Sequence, residues 1–390
     1  MLHSATTILR SMTDTIVNQE INWIDSDEQL DKCCLAWSEQ SLLALDTEFV
    51  RETTYYPIAG LIQVNDGVQT YLIDPLKIDD WYPLIELFED EQITIAMHSC
   101  SEDLEVLQME VGTVPKNILD TQIAIAFLGA PSSLGYAKLV ERELGHVIPK
   151  AETRSNWLQR PLSKPQIQYA ALDVEYLYTL AENLQSQLKE KGRLDWVREE
   201  GRRIYRHFKQ LQDVNNSFKR VKSAWKLSPQ KLAVLVALSK WRENYAQQKD
   251  IPRNRVIKER SLFELALHCP KHVSKLRDID GMPERIIRSQ GDTIIELVKR
   301  ACELEEESLP SALPAPLAKA DQEQYRALKS AIHSYADELD IAPEFVLKKK
   351  DIEALFRLQQ TDSWTEIDAY FEGWRKNSIA DRVQVLLKEL

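Results

Sequence analysis

The sequence of 390 residues predicts a mixed α/β domain followed by two all-helical domains. Three observations predict this order. Strand-like and helix-like segments alternate over the first half of the chain, and from about Tyr205 the pattern becomes all-helical. The last helical block then repeats the middle one at a spacing of 90 residues. A strand hairpin followed by strand–helix units is typical of a mixed sheet flanked by helices.

Apolar patterning and turn residues predict the elements of the first half. Apolar or alternating runs indicate strands, and Ser, Asp, Pro and Gly mark where helices begin and end. The predicted strands are 42–50, 61–65, 68–73 and 93–97, with a hairpin turn at Asn65-Asp66-Gly67. Helices are predicted to begin near Ser101, at Asp120, after Ser133 and at Ser163, the last of them running to about Lys189.

The helical half contains an internal repeat and a linker rich in Pro and Ala. A shift of 90 residues places Tyr245-Ala246 on Tyr335-Ala336 and Asp250-Ile251 on Asp340-Ile341. This period is too long for a solenoid and indicates two copies of one small domain. We therefore expect a loose tail at 1–20, an α/β domain at 21–215, helical domains at 216–305 and 321–390, and a linker at 306–320.

The composition excludes several classes of protein. With 44% hydrophobic and 28% charged residues, the chain is typical of a globular protein. No apolar run approaches the ~18 residues that a membrane span needs. The five cysteines are odd in number and lack C-x-x-C spacing, which argues against a disulfide framework or a structural zinc site. We expect a monomer in the cytoplasm, with no membrane partner.

The charge is unevenly distributed along the chain. The formal net charge is −12, yet residues 222–303 contain 17 Lys and Arg against 10 Asp and Glu. This basic segment is consistent with a contact to a polyanion. Attraction to the acidic remainder of the chain, or a solvated basic surface, explains it equally well.

Four carboxylates and a tyrosine are the candidates for chemistry. Asp46 and Glu48 lie two apart on a predicted strand, so both point to one face. Asp103 falls in the first turn of a helix, where the helix dipole favours a carboxylate whatever its function. Tyr169 and Asp173 are spaced i, i+4 and share a helix face. Each feature alone is also compatible with a solvated surface.

Brought together, these four carboxylates would repel one another by roughly 4 kcal/mol per pair at ~4 Å and an effective dielectric near 20. Two divalent cations would offset that charge, and oxygen ligands suit Mg²⁺ or Mn²⁺. Such a pair supports phosphodiester hydrolysis. With a phenol pKa of about 10, Tyr169 is better suited to orienting a water than to deprotonating it.

Three segments resemble the motifs of the DEDD exonuclease superfamily: LDTEF at 45–49, HSCSEDLEVL at 98–107 and YAALDVEYL at 169–177. The tyrosine four residues before the last aspartate resembles the DEDD-y branch. The segments Arg154-Ser155-Asn156-Trp157 and Arg160-Pro161-Leu162 resemble the ribonuclease D family, and the two helical blocks resemble HRDC domains. The resemblance extends from about Ile21 over nearly the whole chain, although the second helical block matches less cleanly than the first.

The resemblance implies a ribonuclease H-like fold with a mixed five-stranded sheet and helices on both faces. It implies a 3′→5′ exoribonuclease that releases nucleoside 5′-monophosphates and trims the 3′ ends of tRNA precursors. Asp46, Glu48, Asp103 and Asp173 would be metal ligands, and Tyr169 would orient the water. The alternatives are a DNA exonuclease of the same superfamily and a non-catalytic RNA-binding module.

Seven further residues are candidate substrate contacts. His98 precedes the second motif and is either a substrate contact or a hydrogen-bonded core histidine. Arg154 and Arg160 are candidates for phosphate contacts or solvated loop charges. Trp157 could stack on a base or serve as a buried packing residue. In the basic helical domain the candidate contacts to RNA phosphates are Arg253, Arg255 and Lys258.

Overall fold

The computed structural model describes residues 21–148 and 155–389, which form two compact units. Unit 1 comprises residues 21–50, 58–206 and 317–389, with 149–154 outside the description. Unit 2 comprises residues 51–57 and 207–316. The predicted tail at 1–20 lies outside the described residues. The predicted helical segment 321–390 therefore falls in the same compact unit as the α/β elements.

A mixed sheet of six strands forms the centre of the α/β part of unit 1. Its strands are β1 (Ile21–Ile24), β2 (Leu42–Val50), β3 (Ile58–Asn65), β4 (Thr70–Ile73), β5 (Thr94–Met97) and β6 (Ile118–Asp120). The strand order is β1-β4-β3-β2-β5-β6. β3 pairs antiparallel with β2 and β4, while β1 pairs parallel with β4, and β5 pairs parallel with β2 and β6. The predicted mixed sheet is confirmed.

The sheet differs from the expectation in its number of strands. The resemblance implies five strands, whereas this sheet has six. β1 and β6, with four and three residues, were not among the strands predicted from the sequence. The three residues of β6 are too few to show a period-2 pattern. The predicted strand at 42–50 coincides with β2, and the predicted hairpin joins β3 to β4.

Among the described residues from β1 to Leu211, seven helices accompany the sheet. They are α1 (Asp27–Trp37), α2 (Tyr82–Glu89), α3 (Ser101–Glu110), α4 (Thr121–Ala126), α5 (Tyr136–Leu144), α6 (Lys164–Glu190) and α7 (Leu194–Leu211). α4 begins at the predicted cap, because Asp120 accepts from two of its backbone N–H groups. α5 begins at Tyr136 with Gly135 as its N-cap, so the predicted start after Ser133 is two residues early.

The long helix α6 packs on the sheet face that carries Asp46. Ser163 and Gln166 form a capping box at its N-terminus, as expected for a helix that also has Pro in its first turn. Ala44 of β2 packs with Val174 and Leu177 of α6. The three side chains exclude water, since each is 2% exposed or less. This packing fixes the rotation of α6 about its axis, and therefore the direction in which its polar residues point.

The last helical block completes unit 1. Its helices are α12 (Gln322–Glu338), α13 (Pro343–Val346), α14 (Lys349–Gln360), α15 (Trp364–Tyr370), α16 (Gly373–Ser378) and α17 (Ala380–Lys388). The indole of Trp374 stacks on that of Trp196 in α7, with ring centroids 4.7 Å apart. The buried carboxylate of Glu200 accepts from the Trp374 indole N–H at 3.0 Å and from Arg375 at 2.5 Å. These contacts attach the block firmly to α7.

Unit 2 is helical and also contains the segment that connects β2 to β3. Its helices are α8 (Pro229–Lys249), α9 (Arg253–Val256), α10 (Glu259–His268) and α11 (Glu284–Cys302). The Tyr55 hydroxyl donates to Glu243 at 2.5 Å, and Arg253 donates to the same carboxylate at 2.8 Å. Asp250 accepts from the backbone N–H groups of Tyr55 and Tyr56 at 2.9 and 3.1 Å. Residues 51–57 are therefore an integral part of this unit.

The 90-residue repeat predicted from the sequence recurs in the backbone. α9 (Arg253–Val256) and α13 (Pro343–Val346) are offset by 90 residues at both ends. Asp250 and Asp340 both adopt the left-handed conformation, with φ of 46° and 49°. Asp250 is the C-cap of α8, and Asp340 lies two residues after the end of α12 at Glu338; in both copies the chain turns here towards the next helix. The two blocks therefore share one local architecture.

Candidate active site

Strand β2 and helix α6 bring three carboxylates together. Asp46 and Glu48 point to the same face of β2, and Asp173 projects from α6. Oxygen atoms of these three side chains all lie within 4.8 Å of one another. Asp173 is only 6% exposed, although it lies in the middle of a helix where capping cannot explain it. The convergence predicted for these three residues is present.

The fourth predicted carboxylate, Asp103, lies in the first turn of α3 and is oriented by Thr47. The Thr47 hydroxyl donates to Oδ1 of Asp103 at 2.6 Å. Asp103 is not a member of the group within 4.8 Å, but its charge contributes to raising the pKa of both Asp46 and Glu48. It therefore lies close enough to act on the electrostatics of the cluster. In the sequence, the only signal for Thr47 is its position between two acidic residues.

The cluster carries more negative charge than its surroundings offset. Burial, followed by the charges of Asp103, Asp173 and Glu48, raises the pKa of Asp46 well above its usual range. Burial and the charges of Asp173 and Asp103 raise the pKa of Glu48 to about 9. Burial also raises the pKa of Asp173 to about 7 and that of Asp103 to about 6. A cation bound among these oxygens would relieve this repulsion.

Tyr169 lies one helical turn before Asp173 and is hydrogen-bonded to it. This bond lowers the pKa of Asp173 slightly against the larger effect of burial. Burial, then the charges of Asp173, Glu48 and Asp46, raises the pKa of the Tyr169 phenol above its ordinary value. The hydroxyl therefore keeps its proton at neutral pH and acts as a hydrogen-bond donor. This agrees with an orienting role and argues against a role as general base.

The turn between β5 and α3, which carries Asp103, is held by Asp120. Its carboxylate accepts from the backbone N–H groups of Ser99 at 3.1 Å and Cys100 at 3.2 Å, in addition to two N–H groups of its own helix α4. Ser99 adopts φ of 56°, a left-handed conformation that is unfavourable for a serine. The bonds from Asp120 compensate for this strain. The sequence identified Asp120 only as a helix cap.

Tyr136 is a further, half-buried residue close to the cluster that the sequence did not single out. Its hydroxyl donates to the backbone carbonyl of Asp173. The charges of Asp173 and Asp46, after burial itself, raise the pKa of this phenol, which places it close to both carboxylates. Tyr136 therefore ties α5 to α6 at the residue that joins the acidic cluster.

Comparisons with known proteins identify the chain. A family model described as 3'-5' exonuclease matches residues 21–189, and an HRDC domain model matches residues 231–298. Ribonuclease D of Pseudomonas paraeruginosa is 42% identical over 371 residues, which cover 95% of this chain and 98% of that protein. The chain belongs to the ribonuclease D family. Ribonuclease D of Escherichia coli is 35% identical over 374 residues, covering 94% of this chain and 98% of that protein.

A solved structure supports the same assignment. The crystal structure of Escherichia coli RNase D, described as an exoribonuclease involved in structured RNA processing, superposes with a TM-score of 0.84 at 33% identity. The match covers 95% of this chain and 99% of that one. This ribonuclease D is therefore a 3′–5′ exoribonuclease with the expected architecture of an exonuclease domain followed by HRDC sequence. Among the described residues, no helix is sufficiently long and apolar to cross a membrane.

The ribonuclease D family implies a divalent metal ion, and the residues present fit one. The cluster offers only carboxylate oxygens, which are the ligands that Mg²⁺ and Mn²⁺ prefer. The three oxygens within 4.8 Å can contact one ion, and its charge would oppose the burial and mutual repulsion that raise the pKa values of Asp46 and Glu48. Neither thiol nor imidazole belongs to this group.

Trp157 and Arg160, two of the substrate contacts predicted in the exonuclease part, make contacts within the protein instead. Trp157 is 1% exposed and packs with Leu61, so its ring offers no face to a base, and the stacking interpretation is wrong. The Arg160 guanidinium donates to both oxygens of Asp74, at 2.7 and 2.5 Å, and to the carbonyl of Gly60. Arg160 therefore stabilises the segment before α6, and most of its guanidinium N–H groups donate to acceptors within the protein.

The remaining predicted contacts differ in accessibility. His98 is half-buried, and its Nδ1 lies 2.9 Å from the Thr121 hydroxyl. Arg154 lies outside the described residues. In unit 2, Arg253 is engaged with Glu243, whereas Arg255 and Lys258 are exposed. Only these last two are fully accessible to an RNA phosphate.

Proposed function

We propose that this ribonuclease D removes nucleotides from the 3′ ends of tRNA precursors and other structured RNAs with 3′ extensions, releasing nucleoside 5′-monophosphates. The observation that carries the proposal is the convergence of Asp46, Glu48 and Asp173 within 4.8 Å, with Tyr169 hydrogen-bonded to Asp173. The relative in Escherichia coli is described as acting in structured RNA processing, which supports this substrate class.

Asp46, Glu48, Asp103 and Asp173 are proposed to hold two divalent cations, Mg²⁺ or Mn²⁺. Such ions supply Lewis acidity and neutralise the charge that develops in phosphodiester displacement. The protein contributes rigid placement, because β2 fixes two of the carboxylates and α6 fixes the third. The bond from Thr47 directs one oxygen of Asp103, which leaves its other oxygen available as a ligand.

Tyr169 is proposed to orient the attacking water. Its phenol remains protonated near neutral pH because the surrounding carboxylates and burial raise its pKa. An O–H group held beside Asp173 can donate to, or position, a water in the cluster. Loss of this group should therefore reduce the rate of hydrolysis more than it reduces the binding of metal.

The proposed setting is a cytoplasmic monomer that meets RNA. All five cysteines are free thiols, which agrees with a reducing compartment. Arg255 and Lys258 are proposed to contact RNA phosphates from the helical domain at 216–305. The domain at 321–390 is proposed as a second HRDC-like copy, which the shared backbone repeat supports.

A defined substrate tests the function directly. A tRNA with a 3′ extension is incubated with wild type and with Asp46→Asn in Mg²⁺ or Mn²⁺, and the RNA ends and released nucleotides are mapped. Asp66→Asn is the matched control, because Asp66 is also a hydrogen-bonded carboxylate but caps the remote β3–β4 turn. We expect shortening to the mature end by wild type and Asp66→Asn only. Preferential digestion of a single-stranded DNA of the same sequence would favour the DNA exonuclease instead.

A further inference from the structure

Unit 2 contains a long segment without acidic residues in an otherwise acidic chain. Residues 214–242 include seven Lys and Arg and no Asp or Glu, although the formal net charge of the chain is −12. The segment begins with two short 3₁₀ helices, Val214–Arg220 and Ala224–Lys226, which precede α8. The first part of the segment, residues 214–226, contains none of the residues to which the proposed chemistry assigns a role.

The first part of this segment is anchored to the unit 2 core by small and apolar side chains. Val221, Ala224 and Leu227 are each 4% exposed or less and belong to that core. These residues fix the backbone, and Lys222, Trp225 and Lys226 between them are exposed. Lys219 and Arg220, just before Val221, are exposed as well.

Trp225 is the feature that a solvated basic surface does not explain. It is 38% exposed, and the Lys226 ammonium lies 5.4 Å from the centroid of its ring. Lys219 has the same kind of contact with Phe218, at 6.0 Å. A large exposed aromatic ring among cations offers a contact surface to a ligand that has both negative charge and flat apolar faces.

A second tryptophan provides an internal comparison. In α15, Trp364 also has a lysine over its ring, with Lys388 5.4 Å from the centroid. Trp364, however, packs against the core of unit 1 and is followed by the acidic residues Glu366 and Asp368. The combination of an exposed ring with purely basic neighbours therefore occurs at Trp225 and not at Trp364.

We propose that residues 214–226 form a docking surface for single-stranded RNA, in which a base stacks on Trp225 and Lys219, Lys222 and Lys226 contact phosphates. Single-stranded nucleic acid combines a polyanionic backbone with stackable bases, which matches this set of side chains. Arg220 is not included, because it lies 3.8 Å from the Glu243 carboxylate. The proposal rests on the proposed function, since it takes the RNA substrate as its ligand, and it lies outside the matched HRDC region.

Fluorescence anisotropy of a 5′-labelled oligoadenylate of about 15 nucleotides, in EDTA to prevent cleavage, measures the contact. Stacking on one aromatic side chain changes affinity by about 5- to 150-fold, so Trp225→Ala should weaken binding within that range. Trp225→Phe, which retains a ring, should recover most of the affinity. Trp364→Ala is the matched control and should bind like wild type.

The salt dependence tests the phosphate contacts separately. Each lost contact to a single strand reduces the slope of log affinity against log salt by about 0.7, so Lys222→Ala with Lys226→Ala should reduce it by about 1.4. Lys329→Ala, an exposed lysine of α12, should leave the slope close to that of wild type. These lysine variants are expected to melt at the wild-type temperature. The salt dependence can therefore be interpreted even if Trp225→Ala unfolds.

Release of nucleoside monophosphates by wild type with Mn²⁺ is measured in parallel. If wild type degrades RNA while Trp225→Ala binds within twofold of wild type and the lysine pair keeps the full slope, the docking surface is overturned and the exoribonuclease function stands. If wild type releases no nucleotide, the proposed function fails independently of the binding result.

Discussion

The hydroxyl of Thr47 donates a 2.6 Å hydrogen bond to Oδ1 of Asp103 and thereby connects β2 to the first turn of α3. Thr47 lies between Asp46 and Glu48 in sequence but points to the opposite face of the strand. One strand thus supplies two carboxylates from one face and orients a third from the other. Thr47 is 5% exposed, so water does not replace this bond if it is lost.

Removing the Thr47 hydroxyl should therefore lower activity. Thr47→Val keeps the shape but leaves a carboxylate oxygen without its donor, at a cost of about 1–3 kcal/mol in unfolding free energy. Misplacement of Asp103 should reduce kcat by about 10- to 100-fold. Steady-state release of nucleotides and denaturant melts measure both effects. Thr47→Ser retains the donor and should stay within a few-fold of wild type, and an equal loss in both variants would contradict the assignment.

Removal of metal should make folding stability fall as the pH rises. Glu48 has a pKa of about 9 and Asp173 of about 7 in the folded chain, above the values near 4 expected when unfolded. The folded state therefore holds protons that the unfolded state releases, and stability decreases between about pH 4 and pH 9. Melting temperatures in EDTA across this range measure the effect, and Mg²⁺ at pH 8 should restore stability.

Asp46→Asn provides the control for this pH dependence. It removes one charge from the cluster, so in EDTA at pH 8 it should melt above wild type, whereas at pH 4 the two should nearly coincide. Addition of Mg²⁺ should stabilise the variant less than wild type because one proposed ligand is missing. A variant that melts below wild type at pH 8 in EDTA would show that repulsion in the cluster is already offset.

Asp120 should support activity without contacting the acidic group directly. Asp120→Ala leaves the backbone N–H groups of Ser99 and Cys100 unpaired, which should cost about 2–4 kcal/mol. The freed turn displaces Asp103, so the concentration of Mn²⁺ needed for half-maximal activity should increase. Metal titrations of activity, run alongside thermal melts, distinguish the displacement of Asp103 from general unfolding. Asp120→Asn keeps one acceptor oxygen and should show a smaller effect, and unchanged Mn²⁺ dependence in both variants would refute the positioning role.

The Tyr55 hydroxyl should contribute to the stability of unit 2. Burial opposes the charged form of Glu243, but hydrogen bonds from Arg253 and Tyr55 outweigh it and keep its pKa low. Tyr55→Phe removes one bond to this buried carboxylate, for an expected loss of about 1.5–3 kcal/mol. Urea denaturation measures the change. Tyr245→Phe, in the same unit, is the comparison and should have little effect; a Tyr55→Phe variant as stable as wild type would exclude the bond as a stabilising contact.

Local features of the molecule were predictable from the sequence. The bounds of β2 and the start of α6 after Ser163 depend on signals within a few residues of one another, and the 90-residue repeat is found by comparing the sequence with itself. The common face of Asp46 and Glu48 follows from the alternation of a strand alone. These predictions succeed because strand alternation and helix capping act over one or two turns of backbone.

Partnerships across long sequence separations were decided by the tertiary structure. Arg160 was a candidate phosphate contact, but its guanidinium pairs with Asp74, 86 residues away. Trp157 was a candidate stacking residue, but it is buried against the sheet. Thr47 acquires its role only because α3 brings Asp103 to it. An isolated arginine, tryptophan or threonine has the same local pattern whether it faces solvent or a distant partner.

The sequence by itself therefore determined which residues carry acidic groups, that Asp46 and Glu48 share one face, and where most strands of the sheet, though not β1 and β6, lie. The tertiary structure decided which of those acidic groups meet, which basic side chains are paired with a carboxylate and which basic side chains remain exposed. The physical reason is that backbone propensity and capping are short-range, whereas burial and pairing depend on the packing of segments more than a hundred residues apart, as for Asp46 and Asp173.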